Sequence, residues 1–563
     1  MPQLIARSHQ AGCDAHALAQ QRSAQSSPDE LLSAARRRQF VWAFVLLGLA
    51  ARAVRYLLRF PLWEDECFLA YNFIDQTFTG LLRPLNYHQV APLGFLWVEL
   101  TLVKLFGFHE VALRLFAFGA SVGSVLLFRH LAGRLLSGTA QVLAVAIFCV
   151  SYSGIRYAAE AKPYGPDQFV ALALLTLAVE WRRRPDQRRW LAALVAAVPV
   201  AIGVSYPAVF VAGGVSLWMA AVLLDERRRG WLGWLLFNAV LAASFGAMLA
   251  LAAKSQAAAE LGYMQNYWKD HLPSLASPLQ FAWWFLLTHT GDLLAIPLGG
   301  ERGASTLSFL IVACGVAALA RQRRTLVLLL CLAPPAWNMA AALMGRFPYG
   351  GHVKFSQYLA PAICILLGAG GAALLARGQA LPQSRRRGLA AVLGLLALIA
   401  IGTIARDFCL PYKSATDRRY RDFARWFWFS MESSGEVACL QTDLMLDFAP
   451  GTFRDLGWSA MYLCNQRIYS PRHARGNSVD WQAVSADWPL RCVEYQAEVY
   501  RYDRAARDRW LATMQKRYEL VARERFDFPV FDQRGRNLLC ADAVEIYKFV
   551  PRAVHRPPAS HRH

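Results

Sequence analysis

Apolar residues in this chain occur in long blocks separated by short, charged connections. The blocks FVWAFVLLGLA at 40–50 and LAAVLGLLALIAIGTIA at 389–405 contain no charged residue. Roughly 20 apolar residues cross a bilayer as an α-helix, and about eleven segments approach that length. This pattern predicts a polytopic, α-helical membrane protein with spans near residues 40–58, 111–132, 139–157, 167–181, 190–205, 207–224, 231–253, 306–320, 325–345, 356–376 and 388–405.

The positively charged connections predict an orientation. Three arginines at 36–38 precede the first span, and with eleven spans the other Arg clusters fall on the same side, at 129–134, 181–190, 225–230, 320–324 and 376–388. Cytoplasmic loops are enriched in Lys and Arg, so this side is predicted to be cytoplasmic. Residues 1–39 are then predicted to form a disordered cytoplasmic tail, 40–405 the transmembrane domain and 406–563 an extracytoplasmic domain.

Composition favours a membrane protein and argues against a nucleic-acid partner. The 563 residues are 56% hydrophobic and 18% charged, whereas an average soluble protein has about 25% charged residues. The net charge is +21, and residues 1–405 contribute most of it, with 35 Lys and Arg against 19 Asp and Glu. Because that surplus lies mostly in short loops between apolar segments, we interpret it as an orientation signal and expect no nucleic-acid binding.

The C-terminal segment 406–563 has a different pattern. The stretches GEVACLQTDL, RYELVARERF and AVEIYKFV alternate apolar and polar residues as strands do, and YRDFARWFWFSM has a helical pattern. A small α/β domain is therefore predicted. Five of the 11 cysteines lie in this segment. An oxidising compartment would permit disulfides among them, although the pairing cannot be read from the sequence.

Charged side chains beside a membrane are costly, so they mark candidate functional sites. The first such place on the predicted outer side is RFPLWEDECFLAYN at 59–72, where Glu64, Asp65 and Glu66 are contiguous. This is either a solvated acidic turn among interfacial aromatic residues, or it contains a general base that deprotonates a hydroxyl near the membrane surface. No cofactor is required, although the three carboxylates could hold a divalent cation.

The second place is the turn IRYAAEAKPYGPDQF at 155–169, which joins two spans. It contains Glu160 and Lys162, and Pro163 and Pro166 break the helix there. The turn is either a charge-paired loop or a phosphate site, for which lysine is a suitable point charge.

The third place is GRFPYGGHVKFSQYLAP at 345–361, where Arg346, His352 and Lys354 surround a Gly-Gly pair that allows close backbone approach. These groups either snorkel at a helix end or hold a lipid-linked phosphate. A carboxylate cluster and two cationic clusters on one membrane face suit group transfer from a lipid phosphate, because a base can activate an acceptor hydroxyl while cations stabilise the departing phosphate.

Four local patterns resemble those of the GT-C superfamily of membrane glycosyltransferases, and most of all the group that holds protein O-mannosyltransferases and the bacterial aminoarabinose transferase of lipid A. They are LWEDECF, APLGFLWVELTLVKLFGFHEVALRLFAF, YAAEAKPYG and FPYGGHVKFSQYLAP. The resemblance covers roughly residues 40–405 and implies a GT-C-like fold of about eleven transmembrane helices with outer juxtamembrane helices. The short stretch 93–107 is accordingly predicted to be a juxtamembrane helix.

The resemblance implies a polyprenyl-phosphate sugar donor and an inverting transfer to a lipid, glycan or protein acceptor at the outer face of the bacterial cytoplasmic membrane. It implies that Asp65 is the base, with Glu66 beside it, and that Lys162 and Lys354 bind the donor phosphate. The other implied members of the substrate site are Glu160, Tyr164 and His352, and the residue pattern of the third place adds Arg346. Lysine at two positions where the family often has arginine loses bidentate phosphate recognition, and the additional Glu64 leaves open which carboxylate is the base.

Two other classes of function are compatible with the pattern. A polytopic transporter or lipid flippase would carry charges deep within its spans and internal repeats, whereas the clear charges here lie at outer span ends. A membrane-anchored binding protein would use residues 406–563 as its working part.

Overall fold

The computed structural model describes residues 33–227, 229–255, 268–273, 275, 277–297, 304–379, 382–409, 414–430, 437–441, 453–469, 477–478, 487–496, 504–531 and 537–552. Over these residues a set of long helices precedes a small domain that contains a β-sheet. The predicted fold class, a polytopic helical membrane protein with a C-terminal α/β domain, is confirmed.

The helices of the membrane domain follow the predicted apolar blocks. In chain order they are α1 Ala34–Leu57, α2 Glu64–Ala70, α3 Leu93–Phe106, α4 Glu110–Leu113, α5 Leu115–Leu135, α6 Gly138–Cys149, α7 Tyr152–Arg156, α8 Tyr164–Arg183, α9 Arg188–Val204, α10 Ala208–Asp225, α11 Trp231–Ser255, α12 Pro278–Gly291, α13 Ala304–Arg321, α14 Thr325–Leu343, α15 Ala360–Gln379 and α16 Gln383–Cys409. Short 3₁₀ helices at Tyr157–Ala159 and Val353–Leu359 lie between them.

Each of the eleven predicted spans coincides with a helix or, for the third span, with the bent pair α6 and α7. Within the described residues, six helical segments are long and apolar enough to cross a membrane, and the bent pair makes a seventh. The six are α1, α5, α10, α11, α14 and the segment Val353–Gly378 that includes α15. The other four predicted spans are α8, α9, α13 and α16. Within the described residues, none of these helices is both long enough and apolar enough to qualify.

Helix α1 begins earlier than the apolar pattern indicates. The Ser33 side chain accepts a hydrogen bond of 3.3 Å from the Arg36 backbone N–H, which is the usual way in which a serine caps a helix N-terminus. Residues 34–39 are therefore helical, not part of a disordered tail. Residues 1–32 of the predicted tail lie outside the described residues.

Helix α12 lies in the long connection between the predicted spans 231–253 and 306–320, in which the apolar pattern predicts no helix. The Ser277 side chain accepts a hydrogen bond of 3.1 Å from the Gln280 N–H. Proline follows it at the first helical position, where a missing N–H costs nothing. With 14 residues the helix is shorter than a membrane span. The local signal for it is the serine and proline at its N-terminus.

The third span is broken between Cys149 and Tyr152, with a bend of 45°. The break is filled by Arg52 of α1, which is fully buried and donates hydrogen bonds to the carbonyl oxygens of Cys149 (2.7 Å) and Gly48 (3.0 Å). A helix end leaves carbonyl groups without partners, and a buried arginine within a membrane domain needs acceptors. Each therefore satisfies the other, and the chain after the break continues to the turn that carries Lys162.

The C-terminal domain has mixed topology. Its elements are α17 Ser414–Ser430, β1 Val437–Gln441, α18 Phe453–Tyr469, β2 Asn477–Ser478, β3 Leu490–Gln496, α19 Arg504–Gln515, β4 Tyr518–Phe531 and β5 Asn537–Pro551. The strand order is β2-β1-β3-β5-β4. Strand β1 is parallel to β2 and β3, and β5 is antiparallel to β3 and β4. Cys439 and Cys492 face each other across β1 and β3, and both thiols are free.

An apolar cluster joins the C-terminal domain to α2 and α3. Within it, the Cys464 Sγ of α18 lies 3.5 Å from the carbonyl oxygen of Cys67 in α2. Beside it, the Tyr469 hydroxyl donates a hydrogen bond of 3.1 Å to the Glu110 carboxylate. Helix α2, which contains the acidic triplet, is thus held between the membrane helices and the C-terminal domain.

Candidate active site between three connecting segments

The acidic triplet forms the first turn of α2. Negative side chains at a helix N-terminus interact favourably with the helix dipole and its free N–H groups. Glu66 also accepts a hydrogen bond of 3.2 Å from the Trp63 backbone N–H, which caps the helix. The short helix therefore directs neighbouring carboxylates to different sides, and the structure gives Asp65 and Glu66 different partners.

Glu66 is an anchor between segments. Its Oε1 atom accepts hydrogen bonds from the Arg114 Nε (2.8 Å) and from the Ala161 backbone N–H (2.7 Å). Arg114 in turn donates to the carbonyl oxygens of Phe60 and Pro61. Burial alone would lower the pKa of Arg114, but the Glu66 carboxylate raises it above its ordinary value. Only 1% of Glu66 is exposed. Its oxygens therefore hold α2 against the neighbouring turn, a role the sequence did not predict.

Asp65 meets the two predicted lysines. Lys162 Nζ lies 2.8 Å from Asp65 Oδ1, and Lys354 Nζ lies 3.5 Å from Asp65 Oδ2. The three residues come from three connecting segments, so those segments meet at one end of the helices. The Asp65 side chain is 22% exposed. Unlike Glu66, it can be reached by a substrate.

Lys162 is buried beside this carboxylate. Its Nζ atom also donates a hydrogen bond of 2.8 Å to the Gln89 Oε1. Burial lowers the pKa of Lys162, and the adjacent Asp65 partly offsets that effect. Gln89 was not predicted as a site residue, because an isolated glutamine between Tyr87 and an apolar helix carries no sequence signal.

Lys354 lies among aromatic rings. Its Nζ atom is 5.2 Å from the ring centroid of Phe355, 5.7 Å from that of Trp268 and 5.9 Å from that of Tyr164. Aromatic faces attract a cation at such distances. The predicted substrate residue Tyr164 is therefore close to Lys354. Trp268 was missed, since it lies in the long connection before α12.

The Gly-Gly pair permits the close approach that the sequence predicts. Gly350 and Gly351 have φ angles of +72° and +79°, a conformation that costs other residues energy. A Cβ atom on Gly351 would lie 2.2 Å from the His271 ring, and one on Gly350 would lie 2.4 Å from the Thr288 methyl group. The backbone N–H of Tyr349 also donates to the His271 carbonyl oxygen. The segment that carries Lys354 is thus packed against the chain around Trp268.

Glu160 lies deeper than Asp65. Its Oε1 accepts a hydrogen bond of 2.9 Å from Arg156 Nε. Its Oε2 is buried and has no hydrogen-bond partner among the described residues. Burial raises the pKa of Glu160, and Arg156 opposes that effect. Glu160 forms its ion pair within the turn, as a charge-paired loop predicts. Lys162 instead forms its ion pair with Asp65, outside the turn.

The remaining two predicted residues are placed differently. His352 Nδ1 accepts a hydrogen bond of 3.2 Å from the Lys354 backbone N–H, and so caps the 3₁₀ helix Val353–Leu359. Arg346 is exposed in the turn after α14, and no ion pair between described residues joins it to Asp65.

A cleft of about 200 Å³ opens next to Gln89. Its walls come from the segment after α2, the start of α3, the end of α9 and the middle of α11. Most of its lining is apolar, and it includes Leu81, Leu85, Leu93, Leu96, Ile202 and Met248. Gln89 lines the cleft and also accepts the hydrogen bond from Lys162, so the cleft lies next to this lysine.

Among the described residues, no group of three or more His, Cys, Asp or Glu side chains is arranged to hold a metal ion. Asp65 and Glu66 illustrate the reason, because one carboxylate pairs with lysines and the other with Arg114. In the described part of the chain, the side chains of the acidic triplet are therefore not arranged to bind one divalent cation together.

No protein-family model matches the sequence. No curated protein matches it significantly. Among solved structures, ArnT from Cupriavidus metallidurans in the apo state is similar, with 14% identity, a TM-score of 0.49, and coverage of 91% of this chain and 98% of that chain. The ArnT structure bound to undecaprenyl phosphate has the same identity and TM-score, with coverage of 90% and 98%.

The archaeal oligosaccharyltransferase AglB from Archaeoglobus fulgidus, in complex with an inhibitory peptide and a dolichol-phosphate, is also similar. Its identity is 12%, its TM-score is 0.44, and the match covers 78% of this chain and 64% of that chain. All three TM-scores lie below 0.5.

Proposed function

We propose that this protein is a membrane glycosyltransferase that moves a sugar from a polyprenyl-phosphate donor to an acceptor hydroxyl or phosphate, with inversion at the anomeric carbon. The observation that carries the proposal is the position of Asp65 between Lys162 and Lys354. An accessible carboxylate paired with two cations, beside an apolar cleft, provides the groups that such a transfer needs.

The two lysines are the proposed phosphate ligands. Without substrate both pair with Asp65. The phosphodiester of a donor carries one negative charge on two acceptor oxygens and can replace the carboxylate as their partner, and the departing polyprenyl phosphate, with up to two negative charges, binds them more strongly. When the lysines turn to the phosphate, the Asp65 carboxylate loses its counter-charges and attracts the acceptor proton more strongly. Donor binding would thus activate the base.

The reaction follows from this arrangement. Asp65 takes the proton from the acceptor hydroxyl while the acceptor oxygen forms a bond to the anomeric carbon. The bond from that carbon to the phosphate oxygen breaks, and its electron pair leaves with the polyprenyl phosphate. Lys162 and Lys354 stabilise the charge on the departing phosphate. An acceptor phosphate is already ionised and needs no base, so Asp65 acts as the base only for a hydroxyl acceptor.

The apolar cleft supports a lipid substrate. Its lining of leucine, isoleucine and methionine side chains favours a hydrocarbon chain, and Gln89 lies where the cleft approaches Lys162. A lipid with its chain in the cleft would place its head group near the two lysines. The acceptor is a lipid, glycan or protein, and no cofactor is required.

The charge pattern supports the outer face of a bacterial cytoplasmic membrane as the location of this site. The arginine-rich connections and the site fall on opposite sides when eleven spans are counted. Helices long and apolar enough to cross a membrane are present among the described residues, and the site lies on connections at their ends.

The test is a reconstitution in vesicles with a panel of polyprenyl-phosphate hexoses and pentoses. A transferase releases free polyprenyl phosphate from one of these donors, and the release depends on an added acceptor extract. A transporter or flippase would instead move the intact lipid between leaflets without cleaving it. Movement without cleavage across the whole panel would overturn the proposal.

A further inference from the structure

A groove on the C-terminal domain lies between α17 and the edge strand β4. We call it the Trp426 groove. It has an open volume of about 500 Å³ and is lined by Arg419, Asp422, Trp426, Arg525, Phe526 and Asp527. Strand β4 is the last strand of the sheet among the described strands, so the groove lies beside an edge strand of the described sheet. Its elements are distinct from those that carry Asp65.

Aromatic rings form the floor of the groove. The Trp426 and Phe526 ring centroids are 4.7 Å apart, and Phe526 packs edge-on against the buried Phe423 at 5.4 Å. These contacts fix the orientation of the indole ring. Trp426 nevertheless remains 41% exposed. A rigid, accessible indole face is a surface on which a flat, partly apolar ligand can stack.

Charged groups of both signs form the rim. Arg525 is held by the carboxylates of Asp527 (2.9 Å) and Glu545 (3.3 Å). On the opposite side, Asp422 lies 3.6 Å from Arg421 Nε, and Arg419 is exposed. The groove-lining residues include two arginines and two aspartates, so their charges balance. The rim offers hydrogen-bond donors and acceptors without a net charge.

We propose that the Trp426 groove binds a saccharide. The C–H face of a sugar ring stacks on an aromatic face, and its hydroxyl groups need both donors and acceptors around it. The floor and the rim supply these together. The competing explanation is that Trp426 rests in a membrane interface. Anionic lipid head groups are attracted by a surplus of positive charge, and this rim has no such surplus.

This binding goes beyond the proposed transfer, because it requires neither a donor nor Asp65. The test uses the full chain in phosphatidylcholine nanodiscs, with maltoheptaose as a neutral probe and a galacturonic-acid heptamer as an acidic probe. Binding is measured by saturation-transfer NMR and calorimetry. We expect at least one probe to bind with a Kd below about 1 mM and Trp426→Ala to weaken that binding at least about tenfold.

Three further variants serve as controls. Trp283→Ala removes another exposed tryptophan, on α12, and should leave binding unchanged. Asp65→Asn should also bind the saccharide normally, which separates this proposal from the proposed transfer. Trp426→Phe keeps an aromatic floor and should retain most of the binding, which excludes misfolding as the cause of a loss.

Two results would overturn the proposal. The first is that neither probe binds the wild-type chain; quenching of the Trp426 fluorescence by brominated lipids in the nanodisc would then assign the groove to the bilayer surface. The second is that Trp426→Ala binds as tightly as the wild type.

Discussion

Lys162 and Asp65 are 97 residues apart in the chain, yet the lysine Nζ and the aspartate Oδ1 are separated by only 2.8 Å. The pair joins the connection after α1 to the connection before α8. Lys354, from a third connection, reaches the other oxygen of the same carboxylate. A substrate phosphate that enters this site competes with Asp65 for both lysines, and the predictions for Lys354, Lys162 and Asp65 rest on this arrangement.

Loss of Lys354 should weaken the binding of a lipid phosphate. Lys354→Ala removes one charge-assisted contact, which is worth about 1.5–3 kcal/mol, so affinity for a polyprenyl phosphate should fall roughly 10- to 100-fold. Binding is measured by native mass spectrometry or by displacement of a labelled lipid phosphate. Lys104→Ala, which removes an exposed lysine on α3, should bind normally. Equal affinities for the two variants would contradict the assignment of Lys354.

The binding of a lipid phosphate should weaken as the pH rises, and it should do so at a lower pH than expected for an ordinary lysine. Burial lowers the pKa of Lys162 below 10.5, so its positive charge is lost, and binding weakens, at a lower pH than for an ordinary lysine. The second pKa of a phosphate is about 6, so the ligand does not change charge over this range. Asp65→Asn removes an influence that raises the Lys162 pKa and should move the loss to a still lower pH.

The control for this pH series is Glu64→Gln, which changes the adjacent carboxylate. Its binding curve should follow that of the wild type. If Asp65→Asn left the pH at which binding weakens unchanged or moved it higher, Lys162 would not be the group that titrates.

Substitution of Glu66 should affect stability more than chemistry. Glu66→Gln leaves the buried Arg114 guanidinium without its carboxylate, and breaking a buried ion pair costs about 3–5 kcal/mol. We expect a clearly lower unfolding temperature in detergent, whereas Glu519→Gln, which changes an exposed carboxylate on β4, should unfold like the wild type. A Glu66→Gln variant with wild-type stability and no activity would instead make Glu66 the candidate base.

The packing at Gly351 should be necessary for activity. Gly351→Ala combines a positive φ with a Cβ atom 2.2 Å from the His271 ring, so the segment before Lys354 has to move. We expect at least a tenfold loss of transfer at near-normal expression, by analogy with other small displacements of a site. The matched control is Gly246→Ala in α11, where a Cβ atom has no neighbour within 4 Å.

The architecture could be predicted from the sequence because apolar length and loop charge are local signals. Apolar length predicts where the helices lie. The number of spans between two connections, even or odd, decides whether they lie on the same side of the membrane. Asp65, Lys162 and Lys354 could be grouped for that reason. Helix α12 was missed, because its 14 residues are fewer than a span needs.

The partners of individual side chains could not be predicted in the same way. Asp65 and Glu66 are neighbours in sequence with the same kind of side chain, and only the fold shows that one meets lysines and the other Arg114. Gln89 and Trp268 join the site through contacts with residues distant in sequence. Such contacts depend on how the loops pack against one another, so local sequence patterns do not predict them.

The measurement that tests the account most directly is a single-turnover assay of Asp65→Asn with a polyprenyl-phosphate sugar that the wild type uses and an acceptor hydroxyl. Both lysines remain in this variant, so the donor should still bind, while the transfer rate should fall by about 10²–10⁴-fold, as expected for loss of a general base. Glu64→Gln should react at the wild-type rate. Transfer by Asp65→Asn at a near-normal rate, with the donor bound, would contradict the assignment of Asp65 as the base.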